Sequence, residues 1–194
     1  MLLTLKDQEY ATYIKNHQKN IQIAFYEFVN HNHIYDLIDE YDIDLNNLEQ
    51  RILNHDESKW SNIEFYGYRQ FYYPLDNELP SKILLDRAWI HHYSINDHHP
   101  EYWIINRKEN NELILNEEWD KLKSYEMSIE SILEMLCDWI AMSLNFHSSL
   151  LTWYYSEGYK YPFAEQTKEI VNKIIKFFKQ HSEIDYRISS YIVS

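Results

Sequence analysis

The 194-residue sequence predicts an all-α protein with a single domain. Only two glycines and four prolines occur, so the chain is poor in the turn residues that an all-β fold requires. Apolar residues recur every three or four positions in several segments, and Ser, Thr or Asp precedes most of these segments as a suitable N-cap. No repeat, linker or low-complexity tract divides residues 1–194, and a 45% hydrophobic composition suffices for one sizeable core.

The first predicted helix begins after Thr4, its expected N-cap. Its apolar face carries a histidine, His17, with one turn of hydrophobic residues on either side. The members of this face are Tyr10, Ile14, His17, Ile21 and Phe25. A lone histidine in this position is more often a hydrogen-bonded core residue than a ligand, so His17 is a metal-ligand candidate only if partners lie nearby.

Two further predicted helices flank the stretch HDESK at residues 55–59. Asp44 is the expected N-cap of the first, which runs into His55-Asp56. Ser61 begins the second within a capping-box sequence, and Pro74 ends it.

The adjacent residues His55 and Asp56 can supply two metal ligands. Neighbouring side chains on a helix point about 100° apart, so both reach one ion only beside the helix or at its frayed end. Other segments must then supply further ligands. Lys59 follows Asp56 by three residues and could hold a phosphate oxygen at the same place. The alternative is a helix-end His-Asp pair with a solvated lysine.

A helix that Ser81 caps leads into a histidine-rich stretch at residues 91–99. His92, Asn96 and His99 fall at i, i+4 and i+7, which is one stripe of a helix. The histidines of the stretch are His91, His92, His98 and His99. This density favours metal or anion binding, and the alternative is a polar helix end with incidental histidines.

The remaining elements are less uniform. Residues 101–116 contain two short apolar runs around a polar tip, which is typical of a small β-hairpin or an irregular flap. A long helix then begins near Ser128 and carries Asp138 among apolar neighbours, where a carboxylate is costly unless it is paired or binds a metal. Gly158 is an expected C-cap, and residues 162–181 form the final amphipathic helix.

The net charge of −13 argues against general nucleic-acid binding, which usually needs a basic face. An acidic protein that handles an anionic substrate needs a local cation, for which a bound metal is the obvious candidate. The single cysteine, the early polar residues and the lack of any apolar run of about 18 residues indicate a cytoplasmic protein in a reducing compartment, without membrane association. Self-association stays open.

The order of these residues, a histidine, then His-Asp with a lysine three positions later, then an aspartate, resembles the HD superfamily of metal-dependent phosphohydrolases. HDESK is similar to the HD-x-x-K form of that family. The resemblance implies an HD-like helical bundle that hydrolyses a nucleotide or another small phosphate ester. It also implies a divalent transition metal, Mn, Fe, Co, Ni or Zn, held by His17, His55, Asp56 and Asp138.

The same resemblance implies further roles. The catalytic candidates are Asp56, Lys59 and Glu57, and Glu57 either acts as a general base through water or only points to solvent. The substrate-binding candidates are Lys59, His92, Asn96, His98 and His99. Alternatively, the histidines hold a second metal ion with Asp56 as the bridge.

A second resemblance, to a bacterial and viral domain of unknown function, covers most of the chain. The matching stretches are residues 55–59, 64–68, 88–99 and 134–143. They include Ala88-Trp89-x-x-His92-x-x-x-Asn96-x-His98-His99, but they imply no activity.

Two other function classes stay open: a nucleotide- or metal-binding module without turnover, and an HD-type diiron oxygenase. A nucleotide is the first substrate expectation because several aromatic residues near the proposed site could stack on a base, although core packing explains them equally well. These residues are Tyr66, Tyr68, Phe71, Tyr72, Trp89 and Trp103.

Overall fold

The computed structural model of the chain describes residues 3–30 and 34–181, and in these ranges it is helical with no β-strand. An isolated antiparallel bridge joins Ile104 to Ser124. The all-α prediction is confirmed. No helix in the described ranges combines the length and apolar character needed to cross a bilayer. The helices are α1 (Leu5–Val29), α2 (Ile34–Tyr41), α3 (Leu45–Leu53), α4 (Asn62–Tyr72), α5 (Lys82–Ile95), α6 (Asn111–Leu115), α7 (Ile129–Asn145), α8 (Leu150–Ser156) and α9 (Glu165–Gln180), with 3-10 turns at Glu57–Trp60, Pro100–Trp103, Trp119–Lys121 and Gly158–Lys160.

The predicted N-caps are confirmed. The backbone N–H of Asp7 donates to the Thr4 hydroxyl at 3.1 Å, and the Asp7 carboxylate accepts from the Thr4 N–H at 2.9 Å, which completes a capping box. The Asp44 side chain caps α3 by accepting from the backbone N–H groups of Asn46 and Asn47. Ser61 and Ser81 each cap their helix, α4 and α5, through one side-chain hydrogen bond. Each cap satisfies backbone donors that a helix start leaves without intrahelical partners.

Two buried apolar clusters meet along α1. The larger joins the C-terminal half of α1 to α3, α7, α8 and α9, and the smaller joins its N-terminal half to α4 and α5. His17 lies between Ile14 of the smaller cluster and Ile21 of the larger, and all three side chains are buried. A polar group at this junction can therefore meet side chains from both halves of the molecule.

The helices α4 and α5 approach each other closely at Gly67. A Cβ atom at this position would lie 2.7 Å from the Ala88 Cβ and 2.7 Å from the Leu84 carbonyl oxygen. Because only a glycine fits there, α4 can bring Glu64 against the histidines of α5.

Of the two alternatives for residues 101–116, the β-hairpin is wrong, and so is the cap predicted at Gly158. The segment is irregular, with the end of the 3-10 turn Pro100–Trp103 and the short helix α6, because its apolar runs are too short for periodicity to separate strand from helix. Gly158 is not a C-cap, since α8 ends at Ser156 with Glu157 as its cap. Gly158 instead allows close packing: a Cβ there would lie 2.6 Å from the Trp153 ring.

Candidate metal centre

His55 and Asp56 form the turn that follows α3. The helix ends before them at Asn54, and Asp56 adopts a left-handed conformation with φ 57°, which aspartate tolerates better than most residues. The N–H of Glu57 closes this turn on the Asn54 carbonyl at 3.2 Å. Because the pair lies beyond the regular helix, both side chains can enter the interior, where His55 is 1% and Asp56 2% exposed.

One carboxylate oxygen of Asp56, Oδ2, faces the first group of candidate ligands. His17 Nε2 lies 3.5 Å from it and His55 Nε2 3.3 Å. Lys59 Nζ is the nearest group, at 2.6 Å. His17 Nε2 also lies 3.2 Å from Asp138 Oδ1 of α7. Three of the four residues predicted to ligate a metal, His17, His55 and Asp56, therefore have their ligand atoms close together, with Lys59 beside them. The fourth, Asp138, joins them through its contact with His17.

The other oxygen, Asp56 Oδ1, faces a second group of imidazoles. His92 Nε2 lies 3.3 Å from it and His98 Nε2 3.5 Å. His99 Nε2 is 2.8 Å from His92 Nε2. Two ring nitrogens this close need a proton or a cation between their lone pairs. The histidines that the sequence associated with substrate therefore surround Asp56 from the side opposite the first group.

Several atoms of this cluster are buried without a hydrogen-bond partner. They are His17 Nδ1, His55 Nε2, Asp56 Oδ1, His98 Nε2 and Asp138 Oδ1. Buried polar atoms are rarely left unpaired because the desolvation penalty is then not offset. Ligand atoms about 2.1 Å from one ion lie ~3.0–3.4 Å from each other, close to the 3.2–3.5 Å separations found here. This buried His/Asp cluster could hold a metal ion.

A carboxylate on α7, Glu134, orients one histidine of each group. Its Oε1 accepts from Nδ1 of His55 at 2.8 Å and lies 3.2 Å from Nδ1 of His98. Its Oε2 pairs with Arg51 at 2.8 Å, and Arg51 also pairs with Asp97. Holding Nδ1 as the donor leaves Nε2 of both rings free to face Asp56, the usual arrangement behind a metal-ligating histidine.

A second carboxylate, that of Glu64 on α4, orients histidines of α5 on the Oδ1 side of Asp56. It accepts from Nδ1 of His92 at 2.8 Å and of His91 at 2.6 Å. The Ser58 hydroxyl donates to it at 2.9 Å.

The sequence predicted Glu64 only as the capping-box partner of Ser61 and gave no role to Glu134. The box is half formed, because the Glu64 carboxylate contacts the histidines and not the Ser61 N–H. The sequence signal for both carboxylates was their place in the recurrent stretches, together with the spacing of Glu134 one turn before Asp138.

Burial and charge set the protonation of the cluster. Burial by itself raises the pKa of Asp56, but the charges of His55 and Lys59 hold it well below its usual range. Burial by itself lowers the pKa of His55, whereas the Asp56 charge contributes most to raising it to about 10. Burial lowers the pKa of His92, and burial with neighbouring histidine charge lowers that of His99 strongly. His92 and His99 thus offer neutral nitrogens, the form that binds a metal.

Two predicted site residues have other surroundings. The amide of Asn96 donates to the Ser58 hydroxyl and to the His92 carbonyl, both at 2.8 Å, so it braces the turn and α5. The side chain of Glu57 is exposed, in agreement with the interpretation that it points to solvent.

A cavity of about 640 Å³ adjoins the cluster, within the ~300–1,000 Å³ range of small-molecule sites. We call it the metal-side cavity. Its polar lining residues are His17, Asp56, Lys59, His92, His99 and Asp138, and its aromatic ones include Tyr13, Tyr68, Tyr72 and Trp89. Of the aromatic residues expected near a base, Tyr68, Tyr72 and Trp89 line this cavity, whereas Tyr66, Phe71 and Trp103 do not. Trp103 packs against the larger apolar cluster and donates to the Asp97 carbonyl at 2.7 Å.

A smaller cavity of about 340 Å³ shares Tyr68, Tyr72 and Trp89 with the metal-side cavity. We call it the Glu101 cavity. Glu101 is 2% exposed, and its Oε2 is buried without a hydrogen-bond partner. Burial raises the pKa of Glu101 to about 7, although hydrogen bonds from its own backbone and from Tyr161 act in the opposite direction. The sequence predicted no role for Glu101.

The comparisons with known proteins identify a family but no activity. The sequence model of a family of unknown function, DUF5662, matches residues 6–177, which include every residue of the cluster. No curated protein and no solved structure matches the chain.

Proposed function

The chain belongs to DUF5662, a family of unknown function, and we propose that it is a metal-dependent phosphohydrolase acting on a nucleotide or another small phosphate ester. The proposal rests on the residues of the metal-side cavity and on the resemblance of their order to the HD superfamily.

The observation that carries the proposal is the double environment of Asp56. Its Oδ2 faces His17 and His55, and its Oδ1 faces His92 and His98. A carboxylate placed this way can bridge two ions, with Asp138 completing one group and His99 the other. Imidazole and carboxylate ligands suit Mn²⁺, Fe²⁺, Co²⁺, Ni²⁺ or Zn²⁺. Such ions lower the pKa of a bound water and neutralise charge on a phosphoryl oxygen.

Lys59 supplies a fixed cation at the cavity wall. Burial by itself lowers the pKa of its ammonium, but the Asp56 charge more than offsets this and raises the pKa, so Lys59 stays protonated. Its side chain is 13% exposed and lines the metal-side cavity. We assign it to a phosphate oxygen of the substrate, since an ammonium there offers three donors. Glu57 has no part in this scheme because it faces solvent.

Two carboxylates behind the histidines keep the candidate metal ligands in position. Glu134 and Glu64 fix the ring orientation of His55, His98 and His92 through their Nδ1 atoms. The aromatic wall of the cavity, with Tyr68 and Trp89, excludes water and gives a planar surface for the organic part of the substrate.

The test is elemental analysis of the purified, untagged protein beside Asp56→Asn, with Asp120→Asn as an exposed control of the same chemistry. Each protein is loaded with Mn²⁺, Fe²⁺, Co²⁺, Ni²⁺ or Zn²⁺ and then assayed for phosphate release from nucleoside monophosphates and p-nitrophenyl phosphate. We expect bound metal and hydrolysis in the wild type and the control, and neither in Asp56→Asn.

Three outcomes contradict the proposal. Full metal retention by Asp56→Asn would show that Asp56 is not a ligand. Bound metal with tight nucleotide binding but no phosphate release would favour a binding module. Bound iron with oxygen consumption and no phosphate release would favour the diiron oxygenase.

A further inference from the structure

The Glu101 cavity holds a buried acceptor that no side chain of the described residues satisfies. Oε2 of Glu101 is buried and without a hydrogen-bond partner, and Glu101 lines the cavity. Leaving a carboxylate oxygen unpaired out of water costs more than leaving a neutral acceptor, so a ligand that donates a hydrogen bond here gains binding energy.

The charged residues that line this cavity disfavour the binding of an anion. Its lining contains three acidic residues, Asp86, Glu101 and Glu117, and one basic residue, Lys82. The Lys82 ammonium already pairs with Asp86 at 2.7 Å. A phosphate therefore gains nothing there, whereas an amino group is attracted.

Aromatic side chains form part of the cavity lining. Trp119 and Tyr161 pack with ring centroids 5.0 Å apart on one part of its lining, and Trp89 forms another part. Faces of this kind bind planar heterocycles by stacking. Trp89 also contacts His99 edge-on with centroids 5.0 Å apart, which links this wall to the metal cluster.

We propose that the Glu101 cavity is a subsite for an amino-bearing nucleobase, with Glu101 Oε2 accepting a hydrogen bond from the exocyclic amine. The shared wall of Tyr68, Tyr72 and Trp89 lets one nucleotide extend from this subsite to the metal-side cavity. That placement of the phosphate rests on the proposed phosphohydrolase function, whereas the recognition of the base does not.

The experiment uses nucleosides without phosphate, so that the measured affinity depends on the base and not on the metal-side cavity. Isothermal titration compares adenosine with inosine and cytidine with uridine, pairs in which an oxo group replaces the amine and the neighbouring ring nitrogen gains a proton. Purine riboside, which lacks the amine without either change, is the further comparison for adenosine. The wild type should bind the amine member of each comparison at least about tenfold more tightly, since the hydrogen bond from the amine to the Glu101 carboxylate is lost.

Glu101→Gln should remove this preference, because an amide can both donate and accept. Glu112→Gln is the matched control: it removes one negative charge from α6 at an exposed position, and it should keep the preference. Thermal unfolding of all three proteins separates a binding change from a folding defect.

Equal binding of the paired nucleosides by the wild type overturns the subsite, whatever Glu101→Gln does. A preserved preference in a folded Glu101→Gln overturns the role of Glu101. Hydrolysis of p-nitrophenyl phosphate reports on the metal centre alone, so a failed subsite and a failed phosphohydrolase give different results.

Discussion

The two cavities share a wall of Tyr68, Tyr72 and Trp89 but surround their carboxylates differently. In the metal-side cavity, Asp56 is in contact with an ammonium at 2.6 Å and with imidazoles on both sides. In the Glu101 cavity, one carboxylate oxygen is buried with no partner.

The shared aromatic wall therefore does not distinguish the two cavities, whereas the surroundings of their carboxylates do. Both cavities offer stacking faces, so the charges behind those faces must select the ligand group. The unpaired imidazole nitrogens around Asp56 are suited to a metal ion, and the Lys59 ammonium is suited to a phosphate. The unpaired oxygen of Glu101 is suited to a hydrogen-bond donor. A substitution in one cavity should therefore leave unchanged the affinity of the other cavity for its own ligand group.

The largest expected effect comes from Asp56→Asn. Because both oxygens of Asp56 face candidate ligand nitrogens, we expect bound metal to be lost and phosphate release to fall by more than about 100-fold. This loss is larger than the one expected for a carboxylate that only orients a histidine. Adenosine binding in the Glu101 cavity should not change. The checks are elemental analysis, phosphate release and nucleoside titration, with Asp120→Asn as the control. If a folded Asp56→Asn variant also lost nucleoside binding, the two cavities would not bind their ligands independently.

The second effect concerns Glu134→Gln. We expect metal affinity to fall about 10- to 100-fold, because this carboxylate orients a histidine of each ligand group. Metal titration should show weaker binding at both positions, whereas Glu64→Gln should weaken mainly the position that His92 serves. Glu130→Gln, one turn earlier on α7, is the control. Unchanged metal isotherms for Glu134→Gln would disprove its positioning role.

Lys59→Met should have a smaller and more selective effect. It keeps an apolar stem but removes the ammonium, so phosphate-containing ligands should bind about tenfold more weakly, the cost of one charged hydrogen bond. Nucleoside affinity should stay within about twofold of the wild type, because Lys59 does not line the Glu101 cavity. Metal binding should fall less than phosphate binding, since Lys59 contacts Asp56 but is not itself a candidate ligand. Lys82→Met is the matched control in the Glu101 cavity, and an equal loss of phosphate affinity there would contradict the assignment.

Gly67→Ala should perturb both cavities slightly. The added methyl group would meet Ala88 and the Leu84 carbonyl, so α4 and α5 must separate, at a cost of about 1–3 kcal/mol in the free energy of unfolding. Since Tyr68 and Tyr72 lie on α4 and Trp89 on α5, nucleoside and nucleotide affinities should fall together by a few-fold. Chemical denaturation and titration measure both effects. Ile83→Ala, at an exposed position of α5, is the control; equal stability of the two variants would mean that the helices relax without strain.

Local features of the sequence predicted most of the helices. The caps at Thr4 and Asp44 depend on hydrogen bonds that span two or three residues, so the residue types alone indicate where a helix begins. The His55-Asp56 pair was equally visible, because its two potential ligands are adjacent in the chain. Residues 101–116 lacked both a cap and a clear period, and the hairpin alternative there was wrong.

The tertiary structure decided which groups share a site. The contact between His55 and Glu134 spans 79 residues, and no local pattern links these two side chains. The burial of Glu101 also depends on neighbours far away in the sequence, including Tyr161. Capping and helical periodicity act over about one turn. The candidate metal centre draws on α1, α5, α7 and the turn after α3, so it requires the packing that brings these elements together. The sequence determined which residue types are available, and the fold determined which of them lie side by side.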